Sequence, residues 1–156
     1  MSRAGDLLVR WATRWDREVL LKLLAELAAM HGVEVEREAL DEAFEFALKN
    51  PDRVRFCVAE RDRVILGLAS LHDGYSTWRA KAFGEVQDVF VTEEARRTGV
   101  ATGLLEFLVA EARRRGYCRL NLDVKAGNEG ARAFYEAFGL TGTGCVVYEM
   151  GLEEEG

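Results

Sequence analysis

Apolar positions along the chain change period several times, and each change marks an element. Leu7 to Trp11 reads as a short first strand. Thr13 stands three residues before Asp16, a capping pattern for a helix that runs to about His31. Leu20, Leu23, Leu24 and Leu27 keep helical spacing there, and Gly32 closes the helix. A second helix, from about Arg37 to Lys49, aligns Leu40, Phe44, Ala47 and Leu48 and stops before Pro51. Arg55 to Glu60 and Val64 to Leu71 form a hairpin through Arg61-Asp62-Arg63. Asp73 to Ala80 reads as a loop, and Phe83 to Val91 as a strand. Glu93 to Thr98 is a polar loop ahead of a helix from about Gly99 to Arg115, whose inner face is Leu104, Leu105, Leu108 and Ala112. After Gly116, Arg119 to Val124 alternates as a strand. Lys125 to Glu129 is a loop, Gly130 to Phe138 a short helix ended by Gly139, and Thr143 to Leu152 a last strand.

Hairpins first and a strand–helix–strand crossover later predict an α/β fold, a mixed sheet with helices on both faces. At 156 residues the chain is expected to be one domain. Its net charge of −6 argues against non-specific nucleic-acid binding. No apolar run reaches the roughly 20 residues of a membrane span, and the first residues hold no stretch of signal-peptide length. The expectation is a cytoplasmic protein without membrane or nucleic-acid partners; a second copy of the chain is left open as a partner. Cys57, Cys118 and Cys145 suit buried thiols better than disulfides or a metal site. His31 falls at a helix end. His72 closes an apolar strand beside Asp73; that pair has the chemistry for proton transfer, although a structural role is the simpler reading. Neither a zinc site nor a Ser-His-Asp triad is visible.

The chemistry concentrates in Asp88-Val89-Phe90-Val91-Thr92-Glu93-Glu94-Ala95-Arg96-Arg97-Thr98-Gly99-Val100-Ala101-Thr102, a strand, a polar loop and a helix start. Free backbone N–H groups at a helix N-terminus attract anions. Gly99 and Ala101 would let a pyrophosphate approach, with Arg96 and Arg97 adding charge-assisted contacts. The spacing is neither a Walker loop nor a dinucleotide fingerprint.

Arg96-Arg97-Thr98-Gly99-Val100-Ala101 resembles the Q/R-x-x-G-x-G/A motif of the GNAT superfamily of acetyl-CoA-dependent N-acetyltransferases. A second block, from Asn128 through Ala131, Phe134 and Tyr135 to Gly139-Leu140, is similar to the family's N-x-x-A-x-x-F-Y-x-x-x-G-F segment, with Leu140 in place of the usual aromatic. Val9-Arg10-Trp11-Ala12-Thr13 and the Leu-rich helix after it resemble the superfamily's opening, so the likeness covers nearly the whole chain.

The resemblance implies a GNAT-like, mostly antiparallel sheet with splayed central strands. It implies acetyl-CoA (CoA) as co-substrate, with no metal. The strand Val89, Phe90 and Val91 would pair with the pantetheine arm. Arg96 to Thr102, including Thr98, Gly99, Val100 and Ala101, would hold the pyrophosphate. Asn128 would hydrogen-bond the cofactor, Tyr135 would protonate the departing thiolate, and the N–H of Val89 would meet the oxyanion. Glu85 matches the base of histone-acetyltransferase-like branches and is the expected base, acting through water. Gln87 stands where diamine-acetyltransferase-like members keep Glu, and an amide cannot be a base. Regular alternation puts Glu85 and Gln87 on one face and Asp88 on the other, unless a bulge near Asp88 shifts the phase.

The loop Gly74 to Trp78 is similar to that of the diamine branch. Asp73, Tyr75, Trp78 and Asp88 are therefore expected to receive a small cationic primary amine. A protein or peptide amine, or a CoA-binding module without catalysis, are the alternatives.

Overall fold

The computed structural model describes residues 5–153. Residues up to Asp123 make one unit and residues from Val124 a second, smaller one.

The first unit is a five-stranded sheet in the order β1 (Leu8–Trp11), β2 (Val54–Arg61), β3 (Val64–Ser76), β4 (Lys81–Val91) and β5 (Leu120–Leu122). The first four strands are antiparallel, and β5 runs parallel to β4. Helices α1 (Arg17–Met30) and α2 (Arg37–Lys49) cover one face. There Leu20, Leu23 and Phe44 pack against Phe56, Val58, Leu68 and Phe90. Helix α3 (Val100–Arg114) covers the other, where Val100, Leu104 and Leu108 meet Cys57, Ala59, Ala69, Leu71 and Val86. Strand alternation sends neighbouring residues to opposite layers, which is why one run such as Leu68-Ala69-Ser70-Leu71 feeds two cores.

Thr13 forms the expected capping box with Asp16, but around a short 3-10 turn (Arg14–Asp16) that leads into α1. Arg10 donates to both oxygens of Asp16 at 2.8 and 2.9 Å. That pairing, with the Thr13 N–H, outweighs desolvation and holds the Asp16 carboxyl below its usual range.

Two expectations change in this unit. Asp73 to Ala80 is not a loop: β3 runs on to Ser76 and pairs with β4 from Lys81, leaving Thr77 to Ala80 as the turn. Gly74 makes this possible, because the Phe83 ring lies 2.3 Å from where a Cβ would stand. Strand β5 is shorter than Arg119 to Val124.

In the second unit α4 (Glu129–Phe138) forms, capped by Asn128 and ended by Gly139 at φ +125°. The last strand, Thr143 to Leu152, does not form. Val146, Val147, Tyr148, Met150 and Leu152 are exposed. Cys145 is accordingly exposed and Cys118 half-buried, whereas Cys57 is buried and its thiol is pushed up to about 12. No described helix is long and apolar enough to cross a membrane.

Candidate active site

Strand β4 carries the candidate site because its pairing ends early on one side and is interrupted by a bulge on the other. On one side β5 pairs with it only from Gly84 to Val86 and ends at Leu122, so within this unit Gln87 to Val91 have no β5 partner. On the other side β3 stays paired through a bulge. Ala69 faces Val89 and Leu71 faces Val86, so Ser70 stands opposite both Gln87 and Asp88. A bulged residue loses its ladder partner. The Asp88 N–H finds a replacement in the Ser70 hydroxyl, at 3.0 Å.

This bulge is the phase shift that regular alternation would miss. Asp88 turns to the face of Ser70 and Phe90, where its Oδ2 accepts the Ser70 hydroxyl proton at 2.7 Å. Ser70 also contacts His72 Nε2 at 3.1 Å. His72 stands directly opposite Glu85, whose Oε1 accepts from Gln87 Nε2 at 3.2 Å. Ser70, His72, Glu85 and Asp88 thus share one patch at the point where the sheet opens. Burial lowers the His72 pKa, against the opposing pull of Asp88, Glu85 and Asp73, and so favours the neutral ring.

Asp73 is not part of this patch. It lies on the opposite face, 3.7 Å from Arg115, so its pairing with His72 is not realised. Tyr75 shares Asp73's face, and Trp78, in the turn, is 98% exposed. The side chains expected to receive the amine are therefore not brought together: Asp88 is separated from the other three.

Beyond Val91 the chain makes a 3-10 turn (Glu93–Ala95) and reaches α3 through two left-handed residues, Arg97 at φ +65° and Gly99 at φ +88°. Thr98, between them, donates its hydroxyl to the Ala95 carbonyl. The first α3 bond is Gly103 N–H to Gly99 O at 3.0 Å, so Val100, Ala101 and Thr102 start the helix with amides outside its ladder. A Cβ on Gly99 would meet nothing within 4 Å, so the approach to these amides is open. Gly67 sets the helix start against the sheet: a Cβ there would stand 2.9 Å from both the Phe90 carbonyl and Val100.

Arg96 turns back, its Nε donating to the Val91 carbonyl at 3.2 Å with its guanidinium near the Phe90 ring. The cation that sequence reasoning missed is Arg61, at the β2–β3 hairpin. It donates to the Thr98 carbonyl at 3.4 Å. Open amides, an exposed Arg97 and a nearby Arg61 fit the diphosphate of CoA.

Within the second unit, Asn128 Oδ1 accepts from the Ala131 N–H at 3.1 Å, so it caps its own helix. The Tyr135 ring packs edge-on against Phe134 at 5.3 Å. Burial raises its phenol pKa, keeping the proton in place.

Comparison with known proteins bears on this arrangement. Residues 20–140 match the model of the acetyltransferase (GNAT) family. The chain is 28% identical over 139 residues to an aminoalkylphosphonate N-acetyltransferase of Salmonella typhimurium, covering 86% of this chain and 88% of the relative. Its fold is similar to that of a possible acetyltransferase from Clostridium difficile 630, with TM-score 0.86, 21% identity, and 95% and 99% of the two chains covered. It is also similar to an aminoglycoside N-acetyltransferase determined in complex with CoA, with TM-score 0.83, 19% identity, and 97% and 99% covered. The family match spans both sequence motifs and strands β2 to β5, and the chain belongs to the GNAT family of acetyltransferases.

Proposed function

We propose that residues 1–156 act as one N-acetyltransferase domain that moves acetyl from acetyl-CoA to a primary amine on a small cationic molecule. One observation carries the reading. Glu85 and Asp88 share a face at the point where β4 loses its β5 partner, and the strand runs on from there to Val91 and, past the 3-10 turn, to the open amides of α3. An anionic cofactor would be held at one end and a cation drawn to the other.

Acetyl-CoA supplies an activated acetyl thioester; the protein's part is to hold, orient and move protons. The amides of Gly99, Val100, Ala101 and Thr102, with Arg97 and Arg61, hold the diphosphate. The backbone of Val89 and Val91 offers the edge along which the pantetheine arm lies. Glu85 draws the ammonium by charge. Tyr135 keeps its proton at neutral pH and donates it to the departing thiolate.

The aminoalkylphosphonate named for the Salmonella relative carries an acid group. Two carboxylates beside the opening favour a cation instead, and that is the point to test. Free-thiol release from acetyl-CoA is to be measured with 1,4-diaminobutane, butylamine and 2-aminoethylphosphonate. The diamine is expected to lead the monoamine by tenfold or more in kcat/KM, about 1.4 kcal/mol. Equal use of the two amines would remove the cation reading. A preference for the phosphonate would place the chain with its relative's substrate class. No amine-dependent release would leave a CoA-binding module.

A further inference from the structure

The proton count at Ser70 decides more than local packing. A serine hydroxyl has one proton and two lone pairs. Its proton goes to Asp88 Oδ2 at 2.7 Å, and one lone pair takes the Asp88 N–H at 3.0 Å. The third contact, His72 Nε2 at 3.1 Å, must therefore be a donor, because Ser70 has no second proton to give. That fixes the Nε2–H tautomer of His72. When the ring is neutral, Nδ1 carries the lone pair and has no protein hydrogen bond among the described residues.

Resting on the acetyltransferase reading, we infer that His72, rather than Glu85, takes the proton from the acceptor's ammonium at Nδ1, with Ser70 and Asp88 as positioning residues that hold the ring and its tautomer. His72 stands opposite Glu85, so a cation drawn to the carboxylate lies beside the imidazole. Burial lowers its pKa, which leaves it free to accept a proton at neutral pH, while Asp88 and Glu85 on β4 stabilise the imidazolium that forms. Asp73 is the remaining charge acting on it, and β2 contributes only Val54 opposite it.

The step balances. One proton of R–NH3+ moves to Nδ1, and the freed nitrogen lone pair attacks the thioester carbon as the C–S bond breaks. A second nitrogen proton is released, one proton ends on the thiolate, and one reaches solvent through His72. The products are the amide, the thiol and H+.

His31 and His72 are the only histidines, so nitrogen NMR of the ring resolves the test. At pH 8 the free protein is expected to show His72 as Nε2–H, titrating below the ordinary 6.5. Asp88→Asn removes a charge that raises this pKa, and so moves the titration to still lower pH. An Nδ1–H ring, or a titration indifferent to Asp88→Asn, would overturn the inference with or without turnover.

Kinetics supply the second arm, with the fastest amine of the panel. The acid limb of kcat/KM is expected to follow the NMR titration and to shift with it in Asp88→Asn. His72→Gln should lose the limb and about 10²–10⁴ of its rate at pH 7. That loss should shrink towards pH 10, where the amine arrives neutral. Glu85→Gln should raise KM and keep the limb. A limb retained by His72→Gln, or lost in Glu85→Gln, would overturn the inference. CoA-dependent thermal stabilisation shows that each variant is folded. Absence of thiol release in wild type would instead refute the acetyltransferase reading.

Discussion

Ser70 is fully buried between Leu68 and His72 on the face covered by α1 and α2. A hydroxyl there is tolerable only because it satisfies the amide stranded at Asp88 and is itself satisfied three times. Half of that arrangement is legible in the sequence. Ser70 and His72 are two apart in an apolar strand, so they share a face. The other half is legible only as an alternative: a bulge near Asp88 would shift the phase, and it is through such a bulge that Asp88 reaches them.

Asn128 and Tyr135 show the reverse: their motif is plain in the sequence, yet each also has a local task, one capping α4 and one packing on Phe134. Tyr135→Phe separates the two tasks, since the ring stays and only the hydroxyl is lost. If Tyr135 protonates the thiolate, turnover should fall by about 10²–10⁴ with CoA affinity nearly unchanged. A variant that keeps most of its turnover would reduce Tyr135 to packing.

At the scale of elements, helices were the more readable. Their periods and caps place α1 to α4 within a few residues, because a helix satisfies its amides internally. Strands depend on partners. The pairing that extends β3 to Ser76 follows from the Phe83 ring over Gly74, a contact between residues nine apart. The apolar pattern from Thr143 to Leu152 makes no strand among the described residues.

The helix start proposed to receive the diphosphate is the element whose loss is easiest to measure. Gly99 sits at φ +88° with open space around it. Gly99→Val therefore meets no wall, but places a β-branched residue in the left-handed region at a cost of about 1–3 kcal/mol. The strain falls on the turn that presents the α3 amides, while the core around Leu104 and Leu108 is untouched. The variant should keep its far-UV circular dichroism and lose the rise in Tm that CoA produces. A full CoA-dependent rise in Gly99→Val would move the diphosphate site elsewhere.

For the whole molecule, the GNAT match, over residues 20–140, takes in both motifs that the sequence shows. Within the first unit, the hairpins and the short β5 leave Gln87 to Val91 of β4 without a β5 partner, with amides and cations towards one end and carboxylates and an imidazole towards the other. The central claim is that donor and acceptor meet along that stretch. A crystal structure of the protein with CoA and 1,4-diaminobutane tests it most directly. The diphosphate is expected against the amides of Gly99 to Thr102, the arm along Val89 to Val91, and one nitrogen of the diamine between Glu85 and His72. A cofactor bound away from the start of α3, or a diamine held on the face of Asp73 and Arg115, would contradict it.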